Sequence, residues 1–123
     1  MTFALRMAVV VLLLASPAVA QEVQVGTGPI CDTQKQTERL VGLLGGGAEA
    51  AIKVVNAEEK DPTACVVATV AYLKGPQLSV TRSKAGSYRI VKVLVLGLHT
   101  PAGVLAVAPA AYFTIFKVEE REA

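Results

Sequence analysis

A chain of 123 residues, 53% hydrophobic, 5% aromatic and without Trp, is sized for one domain. Its formal net charge of +2 is too small to suggest a dedicated nucleic-acid binder, which carries a strongly basic surface. One modest core fits this length, but a large enclosed active site beside it does not.

Residues 1–20 carry Arg6, the apolar run Ala8-Val9-Val10-Val11-Leu12-Leu13-Leu14-Ala15, the break Ser16-Pro17 and then Ala18-Val19-Ala20. A basic start, a short apolar stretch and an A-x-A site in that order read as a secretory signal peptide. The run is far shorter than the roughly 20 residues of a spanning helix. An uncleaved N-terminal anchor is the alternative. Cleavage is expected after Ala20, with a mature chain from Gln21 in the periplasm or outside the cell. No later segment reads as transmembrane, because 90–98 carries Lys92 and 104–116 contains Pro109.

Residues 21–30, with Gly26, Gly28 and Pro29, read as an extended N-terminal arm that precedes a single domain over 31–118. Thr33 with Gln36 matches a capping box, and Thr37, Leu40, Val41 and Leu44 form one apolar helical stripe. Gly45-Gly46-Gly47 should stop that helix. Ala48, Ala51, Ile52 and Val55 repeat the spacing in a second helix, with Glu49 and Lys53 placed for an i,i+4 pair. It should end before Asp61-Pro62, since the residue preceding proline avoids the helical region.

The pattern then changes. Residues 64–73, rich in Val, Thr and Tyr, predict a buried strand closed by Gly75-Pro76, and 78–82 an edge strand or hairpin extension. After a turn at 83–87, residues 88–98 are apolar on both parities and predict a central strand covered on both faces. Thr100-Pro101-Ala102-Gly103 is a turn, and 104–118 a third strand bent near Pro109. Residues 119–123 are a polar tail. The sum is an α+β domain: two N-terminal helices on a three- to four-stranded antiparallel sheet. An all-β reading, with 50–56 as a strand, is the alternative. Helices on one face leave the other uncovered, which raises a homodimer as one means of covering it.

Cys31 and Cys65 are the only cysteines. After export, two thiols are most simply a disulfide. A loop of about 35 residues closed this way is worth roughly 3.8 kcal/mol in the chain-entropy model. There is no C-x-x-C, and His99 is the only histidine, so neither a redox pair nor a metal centre is expected, and no cofactor is implied.

No catalytic constellation is present. His99 stands alone before a turn, no G-x-S-x-G elbow occurs, and no Gly-Lys-Ser/Thr follows the triple glycine. Glu58, Glu59 and Asp61 cluster where a helix should end, the unfavourable pole for negative charge. They read as a solvated or paired turn, with a calcium site as the functional alternative.

Charge is segregated along the chain. Residues 62–118 hold six Lys or Arg and no Asp or Glu, whereas 21–61 hold seven acids and four bases. Lys74, Arg82, Lys84, Arg89 and Lys92 crowd one predicted hairpin. They are the candidate contact for an anionic envelope component or an acidic protein, unless they complement the helix acids within the fold. Aromatics are too few there for nucleic acid.

The signal ending Ala18-Val19-Ala20, the segment from Val55 to Cys65 (VNAEEKDPTAC) and the ending from Val118 to Ala123 (VEEREA) resemble those of small exported, signal-peptide-bearing bacterial proteins. The resemblance implies export and one small domain, and no activity or site residue. The resulting expectation is a non-enzymatic exported domain of structural or interaction type, with the basic hairpin as its contact. A periplasmic binder of a small apolar ligand, with its pocket between helices and sheet, is the alternative. An enzyme using Glu58, Glu59 or Asp61 would need one of them buried in a cleft.

Overall fold

The computed structural model describes residues 22–118. The expected signal segment and the polar tail lie outside them. Four strands and two helices follow in the order β1 (Gln24–Cys31), α1 (Gln34–Leu43), α2 (Ala48–Glu59), β2 (Cys65–Ser83), β3 (Gly86–Thr100) and β4 (Gly103–Lys117). The α+β class and the disulfide agree with the sequence reading, but the placement of the helices does not. A strand precedes them, and the all-β alternative fails because 50–56 lies within α2.

The expected arm is β1, paired antiparallel with β2 from Gln24–Tyr72 to Cys31–Cys65. Its Gly and Pro content looks wrong for a strand, but the pairing explains it. Asp32 N donates to Ala64 O at 2.9 Å, so alternate pairs, including Pro29 with Val67, are the non-hydrogen-bonded kind. Proline costs that ladder no bond. Thr27 and Thr69, directly opposite, join their hydroxyls at 2.6 Å.

The capping box forms as expected: Gln36 N donates to Thr33 Oγ1, and Thr33 N to Gln36 Oε1, both at 3.1 Å. Thr37, Leu40 and Val41 turn the buried stripe of α1 inward. A short 3-10 turn, Leu44–Gly46, leads to α2, which buries Ala51 and Val55. Glu49 and Lys53 form no ion pair among the described residues; an ion pair instead joins the two helices, with Arg39 Nη2 2.8 Å from Glu58 Oε2.

Gly75-Pro76 does not close a strand. β2 runs straight through it, with register shifts on β3 around Lys74, Gln77 and Ser79. A Cβ on Gly75 would lie 2.5 Å from the Lys92 carbonyl oxygen, so glycine is what lets the bulged strand approach its neighbour. The bend at Pro109 is present: β3 pairs Val95 with Ala110 but Gly97 with Ala106, leaving Val107, Ala108 and Pro109 as an irregularity in β4.

β2, β3 and β4 form the expected meander, and β1 then meets β4, closing the four strands into a barrel. That closure covers one face of β3. One face of β3 turns inward, where Val91, Val93 and Val95 join Ile30, Val70 and Tyr72 in a buried cluster. The other face buries Ile90, and α1 packs across β2, β3 and β4. Leu94 and Leu98 remain partly exposed, so coverage on both faces is incomplete. A second core, Cys31, Leu40, Ala51, Val55 and Cys65, fills the space between helices and sheet.

Candidate functional site

The five bases of the hairpin do not share one face. Arg89 pairs with Val80 on β2 and with Phe116 on β4. Arg82, two residues beyond Val80, is its diagonal neighbour. Lys74 Nζ stands 4.7 Å from the Phe116 ring centroid, on the same side. Lys92 falls on the opposite face of β3, paired with Phe113. Lys84 occupies the turn and lines an open groove with Gly45 and Val54. Among the described residues, Arg82, Lys84, Arg89 and Lys92 make no ion pair, so the helix acids do not neutralise them directly.

The acids near the end of α2 are otherwise engaged. Arg39 forks onto Glu58, with Nε to Oε1 at 3.0 Å and Nη2 to Oε2 at 2.8 Å. The hydrogen bond from Arg39 is the main reason that the Glu58 carboxyl is held below its ordinary range. Glu59 accepts from Gln36 Nε2 at 2.7 Å. Asp61 Oδ1 receives the Thr63 N–H at 2.9 Å and the Thr63 hydroxyl at 3.1 Å, a local turn. No group of three His, Cys, Asp or Glu suited to a metal occurs among the described residues. His99 is exposed, opposite Val104 near the end of β3.

Two cavities are a product of how the barrel closes. β1 meets β4 at two residue pairs only, Ile30 with Thr114 and Cys31 with Phe113. Thr114 Oγ1 donates to Pro29 O at 2.7 Å and ties this junction. To either side the strands part, and a cavity opens on each side. The smaller, about 170 Å³, lies toward the start of β1 and is lined by Tyr72, Val93 and Phe116 among others.

The larger, about 400 Å³, opens where β1 has ended and the chain turns into α1. Its walls are apolar: Ile30, Val66, Ala68, Val95, Leu98, and Val107 with Ala108 and Ala110 from the irregular stretch of β4. Three residues add polar groups: Asp32 just after β1, Thr63 just before β2, and Tyr112. Burial, and next the charge of Asp61, push the Asp32 carboxyl above its ordinary range. The Asp32 side chain has no hydrogen bond or ion pair among the described residues.

Sequence reasoning missed this site. It set a ligand pocket between helices and sheet, a space that the second core fills. Asp32, Thr63 and Tyr112 are far apart in the chain and belong to no motif. Only the Pro109 irregularity, whose residues supply part of the wall, was signalled in advance.

Comparison with family models, with curated proteins and with solved structures returns no match for this chain.

Proposed function

We propose that this chain is a non-enzymatic exported domain that binds a small, largely apolar ligand inside its barrel. The observation that carries the reading is the cavity of about 400 Å³, apolar in its walls and polar at Asp32, Thr63 and Tyr112. That size, and that mixture of many apolar groups with few polar ones, are what small-molecule sites have in common. Export is supported by the Cys31–Cys65 disulfide, a bond that persists in oxidising compartments, and by the signal-like order of residues 1–20. Among the described residues no helix is long and apolar enough to cross a membrane.

The test is displacement of a solvatochromic apolar dye from the purified protein. Ala110→Phe, which fills the larger cavity, should abolish dye binding while leaving the circular dichroism spectrum and the unfolding midpoint nearly unchanged. Full dye binding by the folded variant would remove the reading.

A second reading, contact with an anionic partner, is favoured by one observation: Arg82 and Arg89 are diagonal neighbours without an ion-pair partner among the described residues. Replacing both with Gln should weaken retention on anionic vesicles at low salt more than replacing Lys84 and Lys92, because only the first pair shares a face. Equal effects of the two double variants would count against a specific surface.

A further inference from the structure

We infer that the larger cavity selects a cationic amphiphile, a small amine with an apolar body, and holds its ammonium group against Asp32. The inference rests on the reading of that cavity as a ligand site and adds the class of the ligand.

The apolar walls set the body of the ligand, and the rim sets its charge. Among the described residues, Asp32 is the one charged residue in the lining, and no Lys or Arg stands there. Its backbone is fixed, because Cys31 beside it is cross-linked to Cys65 and its own N–H bonds to Ala64 O at 2.9 Å. The exposed Asp32 carboxylate therefore stands at a fixed place on the rim, free of any partner among the described residues.

The surroundings sharpen the selection. Thr63, across the rim, spends both its N–H and its hydroxyl on Asp61 Oδ1. Those donors are thus committed to a second carboxylate and are not offered to an anionic ligand. Asp61 adds its charge to that of Asp32. A carboxylate or phosphate entering here would face like charge with no compensating base. An ammonium would offset the charge of Asp32 and the repulsion between the two acids. Tyr112 supplies a ring in the same lining, a further feature that suits a cation.

The experiment compares three probes of one chain length, n-octylamine, n-octanol and octanoate, by isothermal titration calorimetry on the purified protein at neutral pH. The expected order is octylamine tightest and octanoate weakest, with the amine ahead of the alcohol by about tenfold. Asp32→Asn should bring the amine down to the affinity of the alcohol and leave the alcohol unchanged. Asp61→Asn, which keeps an oxygen to accept from Thr63, should weaken the amine by a smaller factor. Ala110→Phe should abolish binding of amine and alcohol alike.

Equal affinities for amine and alcohol, or an amine affinity that ignores Asp32→Asn, would overturn the inference and leave the apolar cavity standing. Amine binding that survives Ala110→Phe would also overturn it, since the amine would then sit outside the cavity. Absence of binding by all three probes would instead remove the underlying reading.

Discussion

Asn56 holds Cys65 by both of its backbone groups. Its Oδ1 accepts from Cys65 N at 2.8 Å, and its Nδ2 donates to Cys65 O at 3.0 Å, with a further bond to Pro62 O at 2.9 Å. The reason lies in the register. Cys65 faces Cys31 in a non-hydrogen-bonded pair, so its N–H and C=O point away from β1. The pairing of β2 with β3 starts only at Val70, so no strand receives them. The side-chain amide of Asn56 stands in for the missing neighbour and anchors α2 to the start of β2.

Asn56→Ala should therefore cost about 2–3 kcal/mol, because it leaves two buried backbone groups of Cys65 unsatisfied. Urea unfolding measures the loss. A loss below about 0.5 kcal/mol would show that water replaces the amide without cost.

The disulfide lies in the same place. Cys31 and Cys65 are buried, with Cα atoms 4.1 Å apart, and their bond closes the loop that contains both helices. Replacing both with Ala should lower stability by about 3–4 kcal/mol, a large part of the total of a small domain. The check is equilibrium denaturation of the variant beside the parent under non-reducing conditions. Equal midpoints would mean that the reduced chain is already constrained in its unfolded state.

Gly75 and Gly28 both interrupt apolar strands but stand in different surroundings. A methyl group on Gly75 would meet the Lys92 carbonyl oxygen at 2.5 Å, a backbone atom that cannot step aside. On Gly28 it would meet nothing within 4 Å. Gly75→Ala should cost about 2 kcal/mol and lower the thermal midpoint, whereas Gly28→Ala should stay within about 0.5 kcal/mol. Similar effects at both sites would contradict the bulge at Gly75.

Acid should affect two carboxylates in opposite senses. Glu58 is held below its ordinary pKa, first by the hydrogen bond from Arg39. Its contribution is present at neutral pH and is lost as pH falls through that lowered value. Asp32 is pushed up by burial and by Asp61, so its ionised form weighs against the fold. That penalty is absent below its ordinary value and grows as pH rises through the raised one. Near pH 7, Glu58→Gln should reduce stability and Asp32→Asn should increase it, and near about pH 3 the Asp32 effect should vanish and the Glu58 effect should shrink. Thermal melts at the two pH values test the signs. An Asp32 effect of full size in acid, or a Glu58 effect that does not shrink, would separate it from ionisation.

Local features proved readable where the physics is local. The Thr33–Gln36 box, the stripe of Thr37, Leu40 and Val41, and the stop before Pro62 involve residues within a few positions of one another. Their cause is capping geometry and helical periodicity, which act without the rest of the fold. Gly75-Pro76 was misread because the same dipeptide serves as a terminator or as a bulge. What distinguishes the two is whether a partner strand continues alongside, as β3 does here. β1 was missed for a related reason, since its Gly and Pro content becomes compatible with a strand only in one register against β2.

The sequence by itself determined the two cysteines, the helical and apolar strand periods, the order of turns, and the separation of acids from bases. Those properties follow from composition and spacing along the chain. Tertiary structure alone decided that the sheet closes, because closure depends on β1 meeting β4 at Ile30–Thr114 and Cys31–Phe113, pairs more than eighty residues apart. That one contact turned one apolar face of β3 inward. It also left the gap that draws Asp32, Thr63 and Tyr112 around one cavity. No pattern along the chain encodes such a gap, since it arises where two strands stop pairing.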